Sequence, residues 1–249
     1  MNVVIILAGG VGSRVGADVP KQFIKVLGRE VLSYTLERFD QHPEIDAIEV
    51  VCRKGYEDVL QEITKRDGIS NVRWIAEGGI TFQDSVISGI DNLKGKISDD
   101  DQILIHYGAS PFVSDEIISD AIRVCAEHGN ASPAHSQVYL AASRGDGVST
   151  TEFIDRDQVM CLNSPQALRF GYVCWLYEEA VRRSLLKVVE PHTTSLMLAM
   201  GEPIYFSKSS TSNIKITTED DLRLFKGWLL AGRSCASIGV GEENGFDIS

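Results

Sequence analysis

Val3-Val4-Ile5-Ile6 is a continuous apolar run, rich in β-branched residues, close to the start of the chain. It leads directly into Leu7-Ala8-Gly9-Gly10-Val11-Gly12-Ser13-Arg14 and on to Pro20-Lys21-Gln22-Phe23. Such a run suits a strand covered on both faces. The glycines after it let the backbone approach a ligand with no Cβ in the way. Backbone N–H groups at such a turn can face an anion, and Arg14 and Lys21 bring positive charge to it. The glycines fall at 9, 10, 12 and 16, which is not the G-x-G-x-x-G spacing of a dinucleotide site. No Gly-Lys-Ser/Thr closes the segment as a P-loop would. A purely structural turn has no need of the two cations, so the segment reads as a phosphate cradle.

The rest of the chain alternates strand and helix patterns. Strands are expected at Val3–Ala8, Ala47–Cys52, Val72–Ala76 and Ile103–His106. Helices are expected over Val31–Phe39 and Tyr56–Arg66, and along the stripe Ser85, Val86, Ile90 and Leu93. Ser114 reads as the N-cap of a helix that runs to about His128 and stops at Gly129-Asn130. This alternation implies a mostly parallel twisted sheet with helices on both faces, a three-layer α/β fold. Residues 140–165 break the rhythm. Ser143-Arg144-Gly145-Asp146-Gly147 is a turn signal, and a projecting hairpin arm fits this stretch better than another crossover. Helices over Gly171–Ser184 and Thr194–Met200, a strand at Ile204–Ser207 and a final helix from Thr218 to about Ala231 complete the reading. Residues 1–235 are expected to form one domain, with the arm at about 137–165 and a mobile tail at 236–249.

Composition excludes several classes. The 249 residues carry a formal net charge of −11, which argues against a general nucleic-acid surface. Phosphate binding therefore needs a local basic cluster. The five cysteines show no C-x-x-C spacing, so a cysteine metal site is not expected and reduced thiols in the cytoplasm are. No apolar stretch reaches the ~18 residues of a membrane helix, and no signal peptide is apparent.

Three separated segments carry a family resemblance: Leu7–Phe23; Gly78-Gly79 with Asp84-Ser85-Val86; and Ser212-Asn213-Ile214-Lys215-Ile216-Thr217. With Asp155-Arg156 and Ser164-Pro165-Gln166, they resemble the cytidylyltransferases of the methylerythritol-phosphate and ribitol-phosphate type, over residues 1 to about 231. The opening Leu-Ala-Gly-Gly and the Ser-Asn-Ile-Lys-Ile-Thr-Thr segment are closer to the ribitol-phosphate branch. The resemblance implies a Rossmann-like nucleotidyltransferase fold and transfer of CMP from CTP to a small phosphorylated acceptor, with release of pyrophosphate. It implies that Arg14, Lys21 and Lys215 form a cationic clamp on the phosphates. It places Leu7, Ala8, Gly9, Gly10, Gly12 and Gly108 around the nucleotide, with Gly79 and Ser85 reading cytosine. Arg156 would meet the acceptor phosphate from a dimer partner's arm, so a homodimer is implied.

The chain departs from the family pattern in one half of this site. Where the family has His-Asp-x-x-Arg-Pro, this chain has His106-Tyr107-Gly108-Ala109-Ser110-Pro111. The family's arginine before Ser-Val is Phe82, and a second acid is His192 in Pro191-His192-Thr193-Thr194-Ser195. The missing carboxylates are those expected to hold magnesium and sense the acceptor, and no protein metal ligand set is assigned. Three readings follow. Magnesium is held chiefly by the triphosphate; or Tyr107, His192 and Thr193 form a different acceptor pocket; or transfer is lost and nucleotide binding kept. His106 is expected to be structural.

Overall fold

The computed structural model describes residues 1–10 and 19–238. Gly12 and Arg14, and the tail from 239 onward, lie outside the described residues.

The first strand, β1 (Asn2–Ala8), sits at the centre because both of its faces are apolar. Val4, Ile6 and Ala8 point into one core and Val3 and Ile5 into the other, all fully buried. A small hairpin of β2 (Lys25–Val26) and β3 (Arg29–Glu30) precedes α1 (Val31–Asp40). The chain then alternates through β4 (Ala47–Cys52), α2 (Glu57–Asp67), β5 (Val72–Glu77), α3 (Phe82–Leu93), β6 (Gln102–Tyr107) and α4 (Asp115–His128). Strands β6, β1, β4 and β5 lie parallel in that order. Faces α1, α2 and α4 cover one side of the sheet, while α3 and two later helices, α5 (Phe170–Arg182) and α6 (Thr193–Ala199), cover the other. This is the expected three-layer α/β arrangement. Helix ends follow local chemistry: Ser114 Oγ accepts from the Ile117 N–H at 3.4 Å, and Gly129 closes α4 at φ 89°.

Beyond β6 the sheet continues with antiparallel strands that the sequence did not announce. They are β7 (Asn130–Ser136), β10 (Met160–Leu162) and β11 (Gln166–Arg169), with β11 inserted between β6 and β7. Within the irregular segment β8 (Ala141–Ala142) and β9 (Phe153–Ile154) pair as a hairpin around the Gly145–Gly147 turn. The expected strand at Ile204–Ser207 is confined to β12 (Phe206–Ser207), beside β7. The last helix, α7 (Glu219–Ile238), runs past the expected end at Ala231. It packs Phe225 against Tyr34, Ala109 and Ile216 in a third cluster.

Candidate active site

The carboxyl ends of β1, β5 and β6 open on one cavity of about 280 Å³. This is where an open α/β sheet offers ligand space. Gly9, Gly10, Lys21, Gly79, Ser85 and Lys215 line it, drawn from segments far apart in the chain. Close backbone approach explains the glycines. A Cβ on Gly78 would stand 2.7 Å from the Gly9 Cα, and one on Gly79 would stand 2.2 Å from the Asp84 Cβ. Only glycine lets the loops after β1 and β5 meet this way.

Gln22 organises the floor. It is buried, and its Nε2 donates to the carbonyls of Ala8 (2.7 Å) and Gly10 (2.9 Å). Lys21 Nζ donates to the Ile216 carbonyl at 2.6 Å, and the Ile216 N–H donates to Ala109. The N-terminal loop is thereby tied to the segment that carries Lys215. Sequence reasoning noted Gln22 within Pro20-Lys21-Gln22 but gave it no role, because nothing local shows what a glutamine bonds to.

A second cavity, of about 320 Å³, adjoins the first, and Tyr107 and Lys215 line both. Lys215 Nζ lies 3.7 Å from the centre of the Tyr107 ring, a cation–π contact. The Tyr107 hydroxyl is 2.9 Å from His192 Nδ1, and Phe82 packs on both rings, at 5.8 and 5.1 Å between centroids. Burial, reinforced by Glu190, pushes the Tyr107 phenol well above its usual range, so it keeps its proton. Burial and then the Lys215 charge lower the His192 pKa, opposed by Glu190. A protonated phenol beside a neutral imidazole makes Tyr107 the donor to Nδ1. That assigns the ring proton to Nε2, which lies 3.7 Å from Glu190 Oε1.

Several of the expected residues take other places. Thr193 does not line the second cavity. It is fully buried with Oγ1 2.9 Å from the Tyr177 hydroxyl, while its neighbours Thr194 and Ser195 line the wall. Gly108 is buried with its N–H on the Leu7 carbonyl and its own carbonyl taken by Thr35 Oγ1 at 3.1 Å, which leaves it a packing role. Ala8 is buried behind the loop, held through its carbonyl by Gln22, whereas Leu7 reaches the cavity wall. Ser85 reaches the cavity but its hydroxyl accepts from the Gly79 N–H and donates to the Thr81 carbonyl, both at 3.1 Å. Its first task is to hold the Gly78-Gly79 turn. Arg156 lies exposed in the arm, its Nη1 donating to the Val138 carbonyl, and lines neither cavity. His106 is a buried strut, with Nε2 2.9 Å from the Ser110 carbonyl and a pKa lowered by burial to about 4.

Among the described residues the donor set does not suit a resident magnesium ion, which wants several hard oxygen ligands. The acids near the cavities are engaged or exposed. Asp84 caps α3 through the Thr81 N–H, Asp221 accepts from Thr217 and Thr218, and Glu190 lies at the surface. Among the described residues no three His, Cys, Asp or Glu side chains gather as a metal cage.

Residues 2–230 match the 2-C-methyl-D-erythritol 4-phosphate cytidylyltransferase family. The chain belongs to this family. It is 37% identical to a ribitol-5-phosphate cytidylyltransferase from Lacticaseibacillus paracasei, over 92% of this chain and 98% of that protein. It is 32% identical to a 2-C-methyl-D-erythritol 4-phosphate cytidylyltransferase from Clostridium novyi, over 94% and 99%. In three dimensions it resembles the 4-diphosphocytidyl-2C-methyl-D-erythritol synthase of Anaerococcus prevotii, with a TM-score of 0.78 and 25% identity over 92% of this chain and 96% of that one. The Rossmann-like nucleotidyltransferase architecture is thus shared across the family.

Proposed function

We propose that this chain transfers CMP from CTP to a small polyol phosphate, with pyrophosphate as the leaving group. The observation that carries the reading is the tie between Lys21 and the Lys215 segment, at the rim between a glycine-lined cavity and a second, hydroxyl-rich one. The first cavity takes the nucleoside triphosphate against the backbone of Gly9, Gly10 and Gly79. The second takes the acceptor. An oxygen of the acceptor phosphate attacks the α-phosphorus of CTP, and the bond from that phosphorus to the pyrophosphate oxygen breaks. No covalent enzyme intermediate is needed. The protein contributes alignment and positive charge: Lys21 and Lys215 offset the charge that gathers around the α-phosphorus, with Arg14 assigned to the same task from its place in the loop. Magnesium enters as part of the substrate, on the triphosphate oxygens, since the carboxylates near the cavities among the described residues do not form a metal cage.

The acceptors named for the relatives, ribitol 5-phosphate and 2-C-methyl-D-erythritol 4-phosphate, are the first to assay. Pyrophosphate release with CTP and each of them tests the reading. Silence with every polyol phosphate, together with no CTP binding by calorimetry, would sink it.

The reading includes a cytoplasmic homodimer. Among the described residues no helix is long and apolar enough to cross a membrane. The arm exposes Tyr139, Leu140, Val148 and Phe153, with Leu140 90% accessible, an apolar surface suited to a second copy. Arg156 sits on the same arm and would reach the partner's acceptor cavity.

A further inference from the structure

The second cavity contains a buried hydrogen-bond acceptor with nothing to bond. Gln166 opens β11 opposite Ile105, on the sheet face that looks toward α5 and α6. The residue is 6% exposed, lines the cavity, and its Oε1 has no partner. The loop before it is pinned. The Asn163 N–H donates to the Pro133 carbonyl at 2.7 Å, and the buried Asn213 Nδ2 donates to the Ser164 carbonyl at 2.9 Å. Asn213 lies two residues before Lys215, so one short segment fixes both the cation at the rim and the wall that holds the amide. Gln166 has little freedom to swing out to solvent. A buried amide oxygen left unpaired is unfavourable, and whatever fills the cavity must supply a donor.

We propose that Gln166 is a specificity-determining residue, its amide oxygen accepting a hydrogen bond from one hydroxyl on the carbon chain of the phosphorylated acceptor. This rests on the reading of the cavity as the acceptor subsite. The donor is a hydroxyl rather than an ammonium group, because Lys215 lines the same cavity and a second cation there is repelled. A neutral amide also suits the place better than a carboxylate, which would repel the acceptor's own phosphate. His192, with its proton on Nε2, also lines this cavity and offers it a donor.

The test uses the unmodified protein and Gln166→Leu, with CTP, magnesium and pyrophosphate release as the readout. The acceptors are ribitol 5-phosphate, 2-C-methyl-D-erythritol 4-phosphate, analogues of each lacking one hydroxyl, and phosphoethanolamine. With the unmodified protein, removal of one particular hydroxyl raises the acceptor KM about five- to tenfold, the worth of one hydrogen bond, and phosphoethanolamine is a poor acceptor. In Gln166→Leu the KM for the complete acceptor rises by the same factor, the KM for CTP is unchanged, and the preference over that one analogue disappears. A merely structural glutamine gives uniform losses across all acceptors, and that result overturns the inference alone. So does a wild-type profile indifferent to every single hydroxyl, which needs no variant to fold. Silence of the wild type on all polyol phosphates overturns the transferase reading, and the inference with it.

Discussion

Glu49 makes the fold sensitive to pH, and replacing it with glutamine should remove that sensitivity. The residue lies on β4, between β1 and β5, fully buried and facing α3. Oε1 accepts from Asn92 Nδ2 at 2.6 Å, while Oε2 has no partner. Gly89 makes the room, since a Cβ there would stand 3.1 Å from Oε2. Burial outweighs Asn92 and the nearby Lys96 and raises the carboxyl from its ordinary 4.5 to about 7. The unfolded chain releases this proton near pH 4.5 and the folded chain holds it to about 7. The contribution of Glu49 to stability is therefore fully present below pH 4.5, falls as the pH rises through this window, and levels off above 7. At about 1.4 kcal/mol for each tenfold, the whole window is worth about 3 kcal/mol, and about 2–3 kcal/mol of it lies between pH 5 and pH 8. Glu49→Gln keeps the acceptor for Asn92 and cannot ionise, but it leaves an unpaired N–H that costs about 1–3 kcal/mol at every pH. The variant should thus gain about 2–3 kcal/mol on the parent between pH 5 and pH 8, whatever its absolute stability. Urea denaturation of both proteins at the two pH values measures this. Parallel stability profiles would falsify the assignment of a buried, ionising carboxyl.

Four further outcomes are expected. Lys21→Ala should lose about 2–4 kcal/mol of transition-state stabilisation in CMP transfer, by analogy with the loss of an oxyanion donor, and near-normal turnover would contradict its role. Tyr107→Phe removes the hydroxyl that holds His192, so the acceptor KM should rise about fivefold while the KM for CTP stays constant; an effect on CTP alone would count against the division of the two cavities. Gly78→Ala drives a methyl into the Gly9 backbone and should cost about 1–3 kcal/mol of stability and weaken CTP binding in calorimetry; unchanged binding would remove the argument for close loop contact. In analytical ultracentrifugation the unmodified protein should run as a dimer and Leu140→Asp on the arm as a monomer; a monomeric parent would refute the dimer, and a dimeric variant would refute the arm as its interface.

The parallel half of the fold was legible because its signals are local. The Val3–Ala8 run, the fully buried Ala47–Cys52 segment and the Ser114-to-Gly129 helix each carry their own pattern and ends. The antiparallel half was not. β7 contains Pro133 and ends in polar residues, and β11 is four residues long, so both exist through pairing with distant partners rather than through periodicity. The site divides the same way. Glycines announce close backbone approach by their chemistry alone. A hydroxyl or an amide does not say whether its bonding capacity is used inside the protein or offered to a ligand. Ser85 and Thr193 are of the right type but bond inward, while Gln22 and Asn213 lie in the motif segments without an assigned role and hold the two loops that matter.

Three of the four departures from the family pattern, at 82, 107 and 192, become one feature in space. Phe82, Tyr107 and His192 form a mutually packed aromatic cluster at the junction of the two cavities. Charged side chains in such mutual contact would depend on one another's charge, so replacing one alone would leave an unpaired charge in a partly buried place. Replacing all three removes that penalty. It also changes how Lys215 is held. A carboxylate beside an ammonium cancels most of its field, whereas the face of the Tyr107 ring attracts the ammonium and leaves its net charge intact. On the proposed function, the aromatic wall beside it would read the acceptor by shape and hydroxyl pattern. On that same reading, the change falls on recognition of the acceptor and spares Lys21 and Lys215, the division expected of a chain that keeps one chemistry and selects its own substrate.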